Sequence, residues 1–283
     1  MKYPRKFEKE IITKQPGIQS KMKTKPVIIR ENYIGSKKLK GKVALITGGD
    51  SGIGQSCAIH FAIEGAHIAI IYLNESEDAM DTKKQIEKEG AKCILIQGDI
   101  KDASFCRNAI QETVDKLGGI NILVNNAAMQ FQEDSLKDID FENMKTTYET
   151  NVFPLFYLTK NALNYLNEGD TIINTTSITA YRGNPTLIDY SSSKGAILSF
   201  TRSLSTSLAK KGIRVNAVAP GPIWTPLIPA TLNDYEKFGQ DTAIGRAGQP
   251  AELGPAYVFL ASEDSSYMTG QTMHINGGTI IGG

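Results

Sequence analysis

The sequence predicts a single-domain, doubly wound α/β fold, with a seven-stranded parallel sheet covered by helices on both faces and an extended amino-terminal arm. From residue 43 onward, short runs rich in valine and isoleucine alternate with longer amphipathic stretches. This alternation is typical of parallel strands joined by crossover helices. Glycines also stand where the amphipathic stretches end, as expected at helix carboxyl termini, at positions 65, 90, 118, 169 and 212.

The elements can be assigned in chain order. The first strand is predicted at residues 43–47, which are apolar up to a final threonine. Further apolar, β-branched runs predict strands at 67–73, 92–97, 120–125, 171–176, 214–219 and 271–275. Amphipathic periodicity predicts helices at 53–64, 75–89, 103–117, 141–166, 189–211 and 251–262. Residues 220–248 have no clean period, and we predict a lid at about residues 221–249.

Residues 1–40 are predicted to form an extended basic arm, and residues 41–283 a single α/β domain. Residues 1–42 hold 13 basic and 3 acidic side chains, against 18 and 27 in the remaining chain. A basic arm can bind nucleic acid or an anionic membrane. The opposite charge of the remaining chain favours an arm that lies on the acidic body of its own or a neighbouring subunit. We therefore predict no nucleic-acid and no membrane partner.

Targeting and metal signals are weak in this sequence. The amino-terminal segment lacks the apolar stretch of a signal peptide, and no run approaches the roughly 18 apolar residues of a membrane span. Cys57, Cys93 and Cys106 form no Cys-x-x-Cys pair, and the three histidines are scattered. We expect a cytoplasmic protein without a bound metal. A cation at the carboxylate of Gly283 is an alternative that the sequence leaves open.

A glycine-rich turn follows the first predicted strand. The run TGGDSGIG spans residues 47–54 and lies between that strand and the first helix. Gly48, Gly52 and Gly54 let the backbone approach a pyrophosphate, and the helix amino terminus favours the anion through its dipole and free amides. In this context the turn predicts a dinucleotide site.

Tyr190 and Lys194 are four residues apart in a predicted helix, so they share one face. An ammonium beside a phenol favours the ionised phenol, whose pKa is ordinarily about 10. Ser177 lies thirteen residues before the tyrosine. Tyr33 and Lys37 share the same spacing in a polar segment, so the order of the motifs along the chain carries the specificity.

Taken together, these motifs resemble the short-chain dehydrogenase/reductase family over about residues 40–278. The marks are TGGDSGIG, Asp99, an Asn-Asn-Ala-Ala run at 125–128, Asn151, Ser177, YSSSK at 190–194 and PGPIWT at 220–225. The arm, with KQPGIQSKM at 14–22, and the Asp50-Ser51 pair are similar to a subgroup of glucose and ribitol dehydrogenase homologues and general-stress oxidoreductases. The resemblance implies a Rossmann fold, with residues 41–283 as the dinucleotide-binding and catalytic domain. It also implies an NAD(P)-dependent oxidoreductase that interconverts an alcohol or polyol and a carbonyl.

The same resemblance implies a catalytic set of four residues. Tyr190 would be the general acid/base, and Ser177 would hydrogen-bond the substrate oxygen. Lys194 would lower the pKa of Tyr190 and hold the nicotinamide ribose. Asn151, at a helix kink, would hold a water that links Lys194 to solvent. Cofactor contacts are predicted at Gly48, Asp50, Ser51, Gly52, Ile53, Gly54, Tyr72, Leu73, Asn74, Glu75, Asp99, Ile100, Asn126, Ala127, Ala128, Thr150, Thr175, Tyr190, Lys194, Pro220, Gly221, Ile223 and Thr225.

NAD is predicted to be preferred over NADP, with use of NADP an alternative. The residues at the end of the second strand, Tyr72 to Glu75, include no base that would hold a 2′-phosphate. Asp50 is expected near the same corner, where it would repel that phosphate. The usual strand-end aspartate is missing, which leaves Glu75 or Asn74 to contact the ribose.

The substrate is expected to be a small alcohol, aldehyde, ketone or sugar-like molecule. Its pocket would be formed by the lid and by wall residues at 129, 130, 184 and 187. Apolar residues beyond one stripe of the helices at 141–166 and 189–211 predict a homotetramer. Two rival functions are a nucleotide-sensing scaffold without turnover and a nucleic-acid or membrane-surface binder that uses the arm.

Overall fold

The computed structural model describes residues 3–10 and 14–279, so Gly283 and its predicted cation lie outside the described residues. All seven predicted strands are present, and their bounds differ from the predicted ones by at most two residues. They are β1 (Val43–Thr47), β2 (His67–Tyr72), β3 (Cys93–Gln97), β4 (Ile122–Asn125), β5 (Thr171–Thr175), β6 (Arg214–Pro220) and β7 (Thr272–Ile275).

The strands form one all-parallel sheet in the order β3-β2-β1-β4-β5-β6-β7. This confirms the predicted doubly wound fold. The strand order reverses between β1 and β4, and ligands of open α/β sheets bind outside the carboxyl ends of the strands at such a switch point.

The helices are α1 (Gly52–Ile63), α2 (Ser76–Lys88), α3 (Ala103–Leu117), α4 (Phe141–Asn151), α5 (Phe153–Ala162), α6 (Thr179–Arg182), α7 (Ile188–Leu208), α8 (Leu227–Thr231) and α9 (Gly254–Ala261). The single helix predicted at 141–166 is two helices, and the prediction was wrong in that respect. Val152 interrupts it with φ −116° and ψ −52°, and Pro154 stands in the first turn of α5. Proline has no N–H, so Pro154 cannot donate the backbone hydrogen bond that would continue α4.

Two apolar clusters cover the two faces of the sheet. Neighbouring residues on β1 alternate between them, with Ile46 in one cluster and Leu45 in the other. The first cluster packs against α1 and α9, including Phe61 and Tyr257, and the second packs against α3 and α5. Burial on both faces explains why β1 and β2 are apolar nearly throughout and do not alternate with polar residues.

The arm precedes β1 and contains, in its described part, one short 3₁₀ helix at Gln19–Lys21. Phe7 stacks on Trp224 with ring centroids 3.7 Å apart, and both join an apolar cluster with Met22 and Tyr235. Trp224 and Tyr235 belong to the segment predicted as a lid, which also contains α8. Apolar packing therefore attaches the arm to the lid of its own chain.

Exposed ion pairs contribute little to the attachment of the arm. Where the described arm forms ion pairs with the body, as between Lys9 and Asp234 at 3.8 Å, the side chains are largely exposed, and exposed pairs add little stability. The contact is made by buried aromatic rings and by hydrogen bonds, including those that backbone N–H groups of the arm donate to the buried carboxylates of Asp78 and Glu64. Across residues 3–10 and 14–279, no helix is both long and apolar enough to cross a membrane.

Candidate active site

A cleft of about 760 Å³ opens at the carboxyl ends of the strands, over the switch point between β1 and β4. Its walls come from the glycine turn, the ends of β2 to β6, the lid and part of the arm. Most of the predicted site residues line it, including Tyr190, Lys194 and Ser177, together with the predicted wall residues Met129, Gln130, Asn184 and Leu187.

The glycine turn has the shape needed at a dinucleotide site. Gly48 and Gly52 have positive φ of 62° and 52°, a conformation that side chains disfavour. A Cβ on Gly54 would overlap the carbonyl oxygen of Gly48, so this glycine lets α1 pack closely on the turn. The amino terminus of the 12-residue α1 faces the cleft through Ser51 and Ile53. These residues fit a bound pyrophosphate, which needs close backbone approach and free amides.

Thr47 ties the glycine turn to the Asn-Asn-Ala-Ala run. Its Oγ1 accepts hydrogen bonds from the backbone N–H groups of Asn126 at 2.9 Å and Ala127 at 3.0 Å. The side-chain amide of Asn126 donates to the carbonyls of Thr47 and Gly48. The two neighbouring strand ends therefore form one rigid floor beneath the cleft.

Tyr190 and Lys194 lie on one face of α7, as their spacing predicted. The Lys194 Nζ is 5.5 Å from the centroid of the Tyr190 ring and donates to the carbonyl oxygen of Thr175 at 2.9 Å. Ser177 follows β5, and its Oγ accepts from the backbone N–H and the hydroxyl of Thr179 at 3.1 and 3.0 Å. A phenol, an ammonium and a second hydroxyl thus converge at the cleft.

Asn151 lies behind this group and does not line the main cleft. Its Oδ1 accepts from the N–H of Met129 at 2.8 Å, and its Nδ2 donates to the Met129 carbonyl and to the Ser193 hydroxyl. Asn151 is the last residue of α4. Its side chain connects the segment that follows β4 to α7, the helix that carries Tyr190. Its predicted water-holding role stays a prediction.

The chain is similar to known proteins over most of its length. A family model described as enoyl-(acyl carrier protein) reductase matches residues 48–279. General stress protein 39 of Bacillus subtilis (strain 168) is 57% identical over 281 residues, covering 99% of this chain and 98% of its own. The chain is a short-chain dehydrogenase/reductase. The predicted family resemblance is confirmed.

Two further relatives of this short-chain dehydrogenase/reductase bear on its subgroup and cofactor. Glucose and ribitol dehydrogenase of Daucus carota is 47% identical over 277 residues, covering 95% of each chain. The solved structure of a short chain dehydrogenase from Burkholderia cenocepacia J2315, in complex with NADP, is 33% identical with a TM-score of 0.81, covering 85% of this chain and 98% of its own. The predicted preference for NAD finds no support here, whereas use of NADP is consistent with the comparison.

Burial dominates the ionisation of Tyr190 and Lys194 in this short-chain dehydrogenase/reductase. It raises the pKa of Tyr190 to about 12, with the Ser177 hydroxyl acting in the opposite direction, and lowers the pKa of Lys194 to about 7. The reason is that a buried phenolate and a buried ammonium both lose hydration. The net effect of the chain is a higher pKa for the phenol, and the lowering by Lys194 that the resemblance implied stays a prediction.

The predicted ribose corner of the reductase is acidic. Asp50 and Glu75 are each 5% exposed, and both line the cleft. Burial and the neighbouring Glu75 raise the pKa of Asp50 to about 7, and burial also raises the pKa of Glu75. Two predicted contacts do not line the cleft: Asn74 is exposed to solvent, and Gly54 packs inside the turn.

Sequence reasoning missed several residues of this site. Gln15, Pro16 and Gly17 of the arm line the cleft, and Gln19 contacts the glycine turn. The segment KQPGIQSKM contains all four, but it was interpreted only as a mark of the subgroup. No local period or spacing indicates which arm residues reach the site, because the contacts depend on the path of the arm over the lid.

Proposed function

We propose that this short-chain dehydrogenase/reductase interconverts a small alcohol or polyol and the corresponding carbonyl, using a nicotinamide dinucleotide and Tyr190 as general acid/base. The observation that carries the proposal is the meeting of Tyr190, Lys194 and Ser177 in the same cleft as the glycine turn. The name of the carrot relative, glucose and ribitol dehydrogenase, supports a hydroxylated substrate.

The proposed roles follow from the positions of the groups. When bound, a nicotinamide dinucleotide supplies the hydride acceptor or donor and, in its oxidised form, a positive charge. Tyr190 then gives a proton to the substrate oxygen or takes one from it, and the Ser177 hydroxyl orients that oxygen by a hydrogen bond. Lys194, held by the Thr175 carbonyl, would stabilise the phenolate and would hold the ribose hydroxyls of a bound dinucleotide.

The cleft also suits a polar substrate. Beyond the catalytic group its walls include amide, hydroxyl and charged side chains, among them Asn184, Thr186, Gln132, Arg182 and Asp241. Hydroxyl groups of a polyol or sugar-like substrate require such partners, because burying them unpaired would cost binding energy. We therefore expect hydroxylated or aldehyde substrates to react better than purely aliphatic ketones.

The test is a panel of polyols, sugars, aldehydes and ketones, followed by the absorbance of the reduced nicotinamide with NAD or NADP and their reduced forms. Turnover of a member of the alcohol or carbonyl classes is the expected result. Tight dinucleotide binding with no turnover across the panel would favour the nucleotide-sensing scaffold instead. Failure to bind either dinucleotide would overturn the proposal outright.

The cofactor preference is tested by measuring the binding of NAD and NADP. The support for NAD is local, namely the buried carboxyls of Asp50 and Glu75 at the ribose corner. The support for NADP is the solved relative in complex with it. Direct titration with both oxidised dinucleotides decides between them, and equal or tighter binding of NADP would remove the preference for NAD.

A further inference from the structure

Residues 14–24, here called the inner arm, contribute directly to the cleft. Gln15, Pro16 and Gly17 form part of its wall, and the side chain of Gln19 is 9% exposed. The solved relative with NADP is matched over 98% of its own chain but covers only 85% of this one, whereas general stress protein 39 covers 99%. The relative in complex with NADP therefore has a shorter chain than this protein.

Gln19 attaches the inner arm to the glycine turn. Its Oε1 accepts from the N–H of Gly52 at 2.9 Å, and its Nε2 donates to the Oε1 of Gln55 at 2.6 Å. Gly52 is the first residue of α1, whose opening N–H groups have no partner within the helix. Gln19 thus fixes the orientation of the Gly52 N–H. The next residue of α1, Ile53, lines the cleft.

The same turn of the arm is also tied to α2. The backbone N–H groups of Gln19 and Ser20 donate to the two carboxylate oxygens of Asp78 at 2.6 and 2.8 Å. Asp78 is itself buried on α2. This bidentate contact sets where Gln19 lies, so the position of its amide relative to the glycine turn is built into the fold.

At the opposite side of the cleft, Gln15 holds the segment that follows the Asn-Asn-Ala-Ala run. Its Nε2 donates to the carbonyl oxygen of Gln130 at 2.7 Å, and its Oε1 accepts from the Gln130 N–H at 3.3 Å. The side chain of Gln130 donates to the Thr231 hydroxyl of α8 at 2.8 Å. Between these anchors, a Cβ on Gly17 would overlap the Pro226 carbonyl, so the arm lies tight against the lid.

We propose that the inner arm is a wall of the dinucleotide site, with Gln19 as a positioning residue for the glycine turn, so that arm docking and dinucleotide binding stabilise each other. The inference rests on the proposed function, since it requires that the cleft hold a dinucleotide. Any coupling between two binding events is reciprocal: loosening the arm weakens the dinucleotide, and the dinucleotide holds the arm.

The molecule carries its own reporter of arm docking. Trp224 is the one tryptophan of the chain; its ring stacks on Phe7, and its Nε1 donates to the carbonyl of Thr24 at 2.8 Å. It is fully buried. Release of the arm exposes the indole to water and shifts its emission to longer wavelength. The emission of Trp224, excited selectively, therefore reports undocking of the arm.

The test compares full-length wild type with Gln19→Met, which keeps side-chain length and removes both hydrogen bonds, and with Lys21→Met, a matched change at an exposed position of the same turn. Calorimetric titration measures Kd for NAD and NADP. We expect Gln19→Met to raise Kd for the bound dinucleotide by about 3- to 10-fold, the equilibrium effect of one hydrogen bond, and Lys21→Met to change it by less than about 2-fold.

The second measurement is the urea midpoint of the Trp224 emission shift, with and without saturating oxidised dinucleotide. In wild type the dinucleotide should raise the urea midpoint. In Gln19→Met the increase in midpoint that the dinucleotide causes, here called the gain, should be smaller. A Gln19→Met protein that binds with wild-type Kd and shows the wild-type gain would overturn the inference and leave the proposed function standing. A wild type that binds neither dinucleotide would instead overturn the proposed function.

If Gln19→Met does not fold, Gln15→Met tests the other anchor, because the Gln15 side chain is only partly buried. It loosens the inner arm from Gln130 without touching the glycine turn. The expected results are again a Kd at least about 3-fold above that of wild type and a smaller gain in the Trp224 midpoint. Wild-type values for both would count against the arm as a wall of the site.

Discussion

The hydroxyl of Tyr190 is the group on which the proposed chemistry depends. Tyr190→Phe keeps the ring, which is 9% exposed, and removes the transferable proton. We expect dinucleotide binding to persist and kcat to fall by about 100- to 10000-fold, the range of general acid/base catalysis. Steady-state kinetics on the best substrate of the panel checks this. Activity within about threefold of wild type would exclude Tyr190 as the acid/base.

Asp50 is a titratable residue at the predicted ribose corner. Its raised pKa, about 7, means that the carboxyl is mostly neutral at pH 6 and mostly ionised at pH 8. An ionised Asp50 repels a 2′-phosphate, so we expect the ratio of Kd for NADP to Kd for NAD to rise from pH 6 to pH 8.

The control for this prediction is Asp50→Asn, which removes this carboxylate and leaves the titrations of Glu75 and of the phosphate itself. The ratio in the variant should rise less steeply between the same pH values. Parallel curves for wild type and Asp50→Asn would show that the carboxylate does not face the adenosine ribose.

At the scale of elements, the packing of α1 on the glycine turn can be tested at Gly54. A Cβ there would overlap the Gly48 carbonyl, so Gly54→Ala forces the helix and the turn apart. We expect Tm to fall, since overpacking typically costs about 1–3 kcal/mol, and dinucleotide binding to weaken strongly. Calorimetry and titration measure the two effects.

Gly119→Ala is the matched control for Gly54→Ala. A Cβ at Gly119 meets nothing within 4 Å, and its φ is not positive. This variant should keep the wild-type Tm within a few degrees and an unchanged dinucleotide Kd. Equal effects of the two substitutions would mean that loss of glycine flexibility, and not the close approach of helix and turn, explains the result.

At the scale of the whole molecule, exposed aromatic side chains on α4 and α5 predict assembly. Phe141, Phe153 and Phe156 are 76%, 43% and 53% exposed, and such apolar groups on neighbouring helices favour a partner surface. We expect light scattering at micromolar concentration to give four times the 30.8-kDa chain mass. A monomeric mass would contradict the predicted homotetramer.

A charged substitution localises that interface. Phe156→Glu places a carboxylate in the predicted contact and should reduce the mass to that of a dimer or monomer. Ile34→Glu, at an 88% exposed position outside these helices, should leave the mass unchanged. If Phe156→Glu keeps the wild-type mass, α5 does not contribute to assembly.

The sequence by itself determined the sheet and indicated which side chains meet at the cleft. Strand and helix periods are local properties of the chain, so the seven strands could be located within two residues of their observed bounds. The four-residue spacing of Tyr190 and Lys194 fixes them on one face of any helix. Motif order then indicated the family.

Only the tertiary structure decided how these groups are surrounded. The pKa of Tyr190 rises and that of Lys194 falls because packing removes water from both, and no spacing of residues encodes burial. The attachment of the arm through Phe7 and Trp224, and the contact of Gln19 with Gly52, join segments far apart in the chain. Such contacts depend on the path of the whole chain, which is why local patterns predicted the arm's charge but not its place in the cleft.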